Sequence, residues 1–327
     1  MHKLFIASIF IFHTFLLAAQ AGKSTFDFLL IPDGVRSSAL GGNNVSVIEN
    51  DLSLIYQNPS FLGQEMDKIV SVNYMSYIGD IGFGNISFAK AIGETSAWGI
   101  GVNYTNYSKL LETDETGTIL GDMKANDMCV NAFFSRDLTE KIRGGAAAKI
   151  LYSDYAGNTS YGLGVDLGLS YYDPDKGFSA GLVAKNFGRQ LKSYAEEKYS
   201  LPWDVQLGIS KKLERAPIRF SFTMVQLSQW NNYNSKNEKD SFFTSLVNHF
   251  VFGIDFIPTE NFWIAAGYNV KRAKDMSLDE GNKLGGFSLG AGLSVKAFSF
   301  GCSIGKYHPS ATSLMFNVSA FLGDLKL

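Results

Sequence analysis

Four charged residues of alternating sign, Lys149, Asp166, Lys185 and Asp204, recur at near-even spacing through the middle of the chain. Each lies in a stretch where apolar residues alternate with small or polar ones, and each takes the polar parity. Successive strand side chains point to opposite faces, so on neighbouring strands these four share one face. Lys149 then falls across from about Asp166, Lys185 falls across from about Asp204, and Asp166 and Lys185 are diagonal neighbours. Such a belt has two uses. It can line a polar constriction for a solute, or it can pair buried charges that would otherwise be costly. Arg143, Arg219, Asp255 and Lys296 have the same parity and extend the network toward one end.

No other chemistry is expected. Of the four histidines, two lie in the first thirteen residues, and His249 and His308 have no Cys or His at ligand spacing. No GxSxG, HExxH, P-loop or EF-hand pattern occurs, so no enzyme, metal or cofactor is expected. Cys129 is on the inward parity and Cys302 on the outward one, which reads as two free thiols. The net charge of −2 gives no reason to expect nucleic acid or a polybasic membrane patch.

The elements that position the belt are strands. Phe287, Leu289, Ala291, Leu293 and Val295 alternate with Ser288, Gly290, Gly292, Ser294 and Lys296, and the pattern continues in both directions. Turn residues divide the region into fourteen segments: 69–77, 82–92, 96–107, 125–138, 142–154, 160–172, 177–187, 202–213, 218–229, 248–257, 261–271, 286–296, 297–307 and 311–322. Most have the length a tilted strand needs to cross a bilayer, about 9–11 residues. Mostly short turns alternate with mostly longer loops, and the short first connection, 78–81, breaks the pattern. This predicts an all-β protein: a transmembrane antiparallel β-barrel of about fourteen strands, closed because no backbone group can go unpaired in hydrocarbon. Trp98, Tyr104, Tyr161, Tyr171, Trp203 and Tyr268 face outward as interface girdles.

The chain opens with Lys3, an apolar run from Leu4 to Leu17, and Ala19-Gln20-Ala21, which reads as a secretory signal peptide over 1–21. Residues 22–66 do not alternate and are too apolar for water. They are expected to enter the barrel (67–327) as a lumenal plug, with Asn58-Pro59 near the start of the first strand. The longest loops, 108–124 and 230–247, carry Leu110, Leu111, Ile119, Leu120, Trp230, Phe242 and Phe243 among charges and are candidate partner surfaces.

The run Phe26 to Gly42, with Arg36, Leu40, Gly41 and Gly42, and the block around Asn58-Pro59-Ser60-Phe61-Leu62 resemble the start of the PorV/PorQ family. These are barrels similar to the fatty-acid transporter FadL, and the small size and short loops resemble the PorQ-like members. The resemblance implies a Gram-negative, Bacteroidota-type outer membrane and a docking role in the type IX secretion attachment complex. It also implies partners: outer-membrane lipid, a PorV-like barrel, a sortase-like signal peptidase and a PorZ-like surface protein. Two other functions stay open, FadL-type import of hydrophobic small molecules and a general porin.

Overall fold

The computed structural model describes residues 24–79, 81–107, 110–113, 116, 118–194, 199–229, 242–276, 285–308 and 311–323. Residues 1–21, expected to be a signal peptide, and Trp230 lie outside the described residues. The strands are β1 (Ile69–Ser76), β2 (Ile81–Ile92), β3 (Ser96–Tyr107), β4 (Leu110–Thr113), β5 (Ile119–Met123), β6 (Ala125–Asp137), β7 (Ile142–Tyr155) and β8 (Asn158–Asp173). They continue with β9 (Phe178–Lys192), β10 (Asp204–Lys212), β11 (Ile218–Met224), β12 (Phe250–Thr259), β13 (Phe262–Asn269), β14 (Phe287–Val295), β15 (Phe298–His308) and β16 (Ala311–Phe321).

Fourteen of these form one closed antiparallel ring, with β1 pairing β16; β4 and β5 make a separate hairpin in the connection between β3 and β6. Each of the fourteen expected segments overlaps one wall strand. The largest shifts are in β9, which runs on to Lys192 where a loop was expected from Gly188, and in β11, which ends at Met224 where a strand was expected to run to Gln229. Gly188 does not turn the chain. Its missing Cβ makes room for the Leu163 carbonyl of β8, a close backbone approach of the kind that places Gly within strands.

The alternation has the burial consequence that a barrel requires. On β1, Ile69, Ser71, Asn73 and Met75 are buried, while Val72 and Tyr74 are 45% and 55% exposed. The same outward row continues through Ile86, Ile100, Leu167, Leu182, Phe222, Ile254, Leu289 and Phe316. An apolar band this continuous is not tolerated in water; it suits hydrocarbon. Among the described residues no helix is long and apolar enough to cross a membrane.

Residues 24–68 lie inside the ring, coiled into short 3-10 turns and one α-helix, α1 (Val35–Ala39). Leu40, Leu52, Leu54, Ile55, Phe61 and Leu62 are almost fully buried. Each such side chain contributes about 1.5–3 kcal/mol relative to exposure. The segment touches both ends of the barrel. Thr25 donates its backbone N–H to Ser200, in the long connection after β9 (3.1 Å), and Asp67 accepts from Ala91 N at the short turn after β2 (2.9 Å). We term the end with the longer connections outer.

Wall glycines let the segment sit this close. At Gly181 of β9 an added Cβ would collide with the Val45 carbonyl, and at Gly145 of β7 with the Pro59–Ser60 backbone. Backbone cannot move aside as a flexible side chain can. Gly181→Ala should therefore push residues 44–46 off the wall and lower stability by about 1–3 kcal/mol, the range for overpacking. Gly84→Ala, whose nearest neighbour is Asn73 O at 3.2 Å, provides the comparison on β2. Equal urea midpoints for the two variants would show that the segment does not press on β9.

Candidate functional site

The site is the contact between the inner wall and residues 24–68. Lys149, Asp166, Lys185 and Asp204 all point inward and are 7%, 1%, 6% and 2% exposed. Lys185 is directly opposite Asp204 in the β9–β10 register. Lys149 is opposite Gly164 and Asp166 opposite Ala147, so those two are offset; the lysine still reaches Asp166 at 2.7 Å.

A β-bulge explains the next contact. Val165 pairs with Phe187 and Leu167 with Ala184, so Lys185 and Asn186 both face Asp166. Asn186 takes φ +58°, which Asn tolerates better than most residues. Its backbone N–H donates to Asp166 Oδ1 (2.7 Å) and its Oδ1 accepts from Lys149 Nζ (2.7 Å). Asn186 therefore occupies the position the sequence reading gave to a lysine–aspartate diagonal.

The belt is longer than its charges. Asn317, Asn73, Asn85, Asn103 and Asn131 follow one another around β16, β1, β2, β3 and β6. Asn317 Nδ2 donates to Asn73 Oδ1 (3.0 Å), Asn73 Nδ2 to Asn85 Oδ1 (2.9 Å) and Asn131 Nδ2 to Asn103 Oδ1 (2.8 Å). Asp33, from the interior segment, sits at the hub: its backbone O accepts from Asn85 Nδ2 and its Oδ1 from Asn103 Nδ2, both at 2.6 Å. The signal was present in the sequence as Asn on the inward parity of successive strands.

Burial pushes the Asp33 carboxyl up to about 6, against the pull of Lys185, Lys149 and the Asn103 amide. Its unfolded value is about 3.9, so the folded chain binds this proton more tightly and stability falls as pH rises from about 4 to about 6. Asp33→Asn keeps an acceptor for Asn103 and removes the charge. It should flatten that slope and raise stability at pH 8 by about 2 kcal/mol. Melting curves across this range check both, and a variant less stable than the parent at pH 8 would show that the lysines need the carboxylate.

Toward the other end, a second cluster ties the segment to the wall. Arg36 of α1 donates from Nη2 to Asp255 Oδ1 (3.1 Å), and Arg219 donates from Nε to Asp255 Oδ2 (3.1 Å). Glu49 accepts from Arg219 Nη1 at 2.5 Å. Burial pushes the Glu49 carboxyl up, but Arg36 and Arg219 outweigh it and hold it below its usual value. The Arg36 guanidinium also lies 4.6 Å from the centre of the Trp263 ring. Arg143 bonds Asp137 (2.6 Å) and Glu65 (3.0 Å). Lys296, expected to join this network, instead stands exposed in the tight turn between β14 and β15 with φ +53°. The parity reading failed there because the turn sits at Lys296 itself.

The remaining expected residues fall as follows. Leu40 is buried against Gly253; Gly41 and Gly42, at φ +95° and +93°, pass under Gly267 and beside Arg272 in a conformation that disfavours any Cβ. Asn58 caps the 3-10 turn Pro59–Phe61, its Oδ1 accepting from Ser60 N and Ser60 Oγ. That turn packs on β7 and β8 rather than at the start of β1, since a further turn, Gln64–Met66, intervenes. Phe242 and Phe243 open the outer helix α2 (Phe242–Asn248) and are 71% and 70% exposed; Ile119 is 60% exposed. Leu110, Leu111 and Leu120 lie on β4 and β5, and their side chains are outside the described residues. Cys129 is buried and Cys302 exposed, both free. His249 is buried with Nδ1 at 2.6 Å from Val225 O, and His308 ends β15; no cluster of His, Cys, Asp and Glu suited to a metal occurs among the described residues.

No family model matches the chain, and no curated protein matches it in sequence. Solved structures do. A deletion mutant of the monoaromatic hydrocarbon channel TodX aligns with a TM-score of 0.55 at 13% identity, covering 89% of this chain and 97% of that one. The Pseudomonas putida toluene transporter TodX gives 0.53 at 13% identity over 91% and 98%. A Pseudomonas aeruginosa FadL homologue gives 0.51 at 12% identity over 88% and 97%. The aligned share exceeds the strand region alone, so it takes in part of the interior segment. At these identities the likeness is one of fold, and the chain has the fold of the FadL-like outer-membrane barrels.

Proposed function

We propose that this protein is a closed docking barrel of the outer membrane, in a type IX secretion attachment complex, with residues 24–68 as a permanent plug. The observation that carries the reading is the tightness of the lumen. Among the described residues, two cavities beside the segment measure about 20 and 10 Å³, each with space for a water molecule and no hydrocarbon. The sequence resemblance over Phe26 to Leu62 supplies the partners: a PorV-like barrel, a sortase-like signal peptidase and a PorZ-like surface protein. Exposed Phe242 and Phe243 on the outer face suit protein contact.

A second reading is gated passage of small hydrophobic molecules. The solved barrels, one of them a toluene transporter, support this reading more directly than they support docking. One experiment separates the two. The tagged chain is recovered from its own outer membrane in mild detergent, and membranes with and without it are compared for toluene uptake. Co-recovery of peptidase and surface partners with unchanged uptake supports docking. Recovery alone, with uptake that depends on the chain, supports passage and sinks the docking role.

A further inference from the structure

The outward face of the wall is apolar between its rims, and the charges that share its parity are nearly all of one sign. Among the described wall strands they are Lys90, Arg136 and Lys211 at the short-turn end, Arg189, Lys192 and Lys306 at the outer end, and one acid, Asp154. The whole chain has slightly more acidic than basic residues, 31 against 29, so the bias belongs to this surface and not to the composition. Lipid phosphates are the anions that a lipid-facing surface meets at its rims. Long cationic side chains there keep their stems in hydrocarbon and their heads in the headgroup layer.

Two of these cations come together at the short-turn end. In the register of β2, β3 and β6, Lys90, Trp98 and Phe134 form one row on the outward face. Arg136 lies one rung nearer the turns, opposite Ser96. The Trp98 ring, 37% exposed, meets Phe88 edge-on at 5.9 Å between centroids. An outward Trp marks the headgroup level, so both cations stand at the depth of a phosphate. Two strands and two residues separate their Cα atoms, a distance of about 12 Å. Both side chains are long enough to close on one anion between them. The chain supplies no such anion. Inward cations at the same end are paired: Arg143 with Asp137 (2.6 Å) and Glu65 (3.0 Å), and Lys141 with Asp173 (2.8 Å). Lys90 and Arg136 make no ion pair or side-chain hydrogen bond among the described residues. Of the neighbouring carboxylates, Asp137 is engaged by Arg143 and Asp67 by Ala91 N, and Glu94 stands exposed in the turn between β2 and β3.

We propose that Lys90 and Arg136, on either side of Trp98, bind the headgroup phosphate of an anionic phospholipid. In outer-membrane barrels the short turns face the periplasm, which puts the site in the inner leaflet. Charge balance selects the anionic class. A zwitterionic headgroup brings its own ammonium to its phosphate, whereas an anionic one leaves the phosphate uncompensated, and two protein cations gain most from the second. The planar fork of Arg136 suits two phosphate oxygens at once, and Lys90 adds a point charge from the other side. The site depends on the barrel lying in the outer membrane and holds whether the chain docks partners or passes solutes.

Native mass spectrometry of the purified protein in detergent, titrated with phosphatidylglycerol or phosphatidylcholine, tests it. A cation near a membrane surface is worth roughly fivefold in affinity for an anionic lipid, so the parent should prefer its first phosphatidylglycerol by roughly thirtyfold. Lys90→Gln or Arg136→Gln alone should cut that preference roughly fivefold, and the two together should abolish it. Lys211→Gln, at the same end but on β10, should leave it within about twofold of the parent. As a second readout, phosphatidylglycerol should raise the melting midpoint of the parent and not that of the double variant. Equal binding of the two lipids by the parent, a preference that survives in the double variant, or an equal loss with Lys211→Gln would overturn the proposal. Tighter retention of lipid A, the phosphorylated lipid of the opposite leaflet, would overturn the inner-leaflet assignment.

Discussion

Asp255→Asn is expected to lower the stability of the barrel by about 3–5 kcal/mol, the cost of breaking a buried ion pair from one side. Asp255 is fully buried and receives two arginines, Arg36 from the interior segment and Arg219 from the wall. An arginine cannot shed its proton to escape such a site. After the substitution both guanidiniums depend on Glu49, which is partly exposed and 4.0 Å from Arg36. The loss should fall on the docking of residues 24–68 before it falls on the ring, since Arg36 is their link to β12. Urea unfolding in lipid vesicles reads the first effect; protease cleavage between Arg36 and Phe61 reads the second. A further Arg36→Met removes one orphaned cation and should recover part of the loss, and this double-mutant cycle isolates the Arg36–Asp255 coupling. A shift within about 0.5 kcal/mol, the range of an ordinary surface change, would mean that packing alone holds the segment.

The ring was legible in the sequence because lipid is a demanding solvent. It forces an apolar residue at every second position, so β3 reads as 96–107 from the alternation and folds as Ser96–Tyr107. The interior segment offers no such repeat. Its apolar residues mark it as buried, but only the folded chain shows that Arg36 meets Asp255, 219 positions away. The wall side of that contact was half visible: Arg219 and Asp255 share a parity and are register partners. Bulges were not visible at all. The extra residue at Asn186 resets the parity of β9, so Phe187, two positions after inward Lys185, pairs with outward-facing Val165. The asparagine belt illustrates a different loss. Asn is uncharged and common in turns, so five inward asparagines on adjacent strands did not stand out until Asp33 was seen to join them.

Asp166→Asn carries the second large expected effect. Lys149 has two contacts for its ammonium, Asp166 at 2.7 Å and Asn186 Oδ1 at 2.7 Å, and it is 7% exposed. Removing the carboxylate takes away its ion pair and leaves the buried ammonium with Asn186 Oδ1 as its hydrogen-bond partner, at a cost of about 3–5 kcal/mol. It also weakens the Asp166 bond to Asn186 N, which holds the bulge in β9. Lys149→Met alone should cost less than Asp166→Asn, because the carboxylate keeps the Asn186 N–H as a charge-assisted donor. The pair Lys149→Met/Asp166→Asn should then be more stable than Asp166→Asn by about 1–3 kcal/mol, since the cation that lost its carboxylate is gone as well. Vesicle unfolding midpoints order the three variants. If Asp166→Asn proves the mildest, water from the adjoining void solvates Lys149, and the belt is a wet polar lining rather than a set of ion pairs.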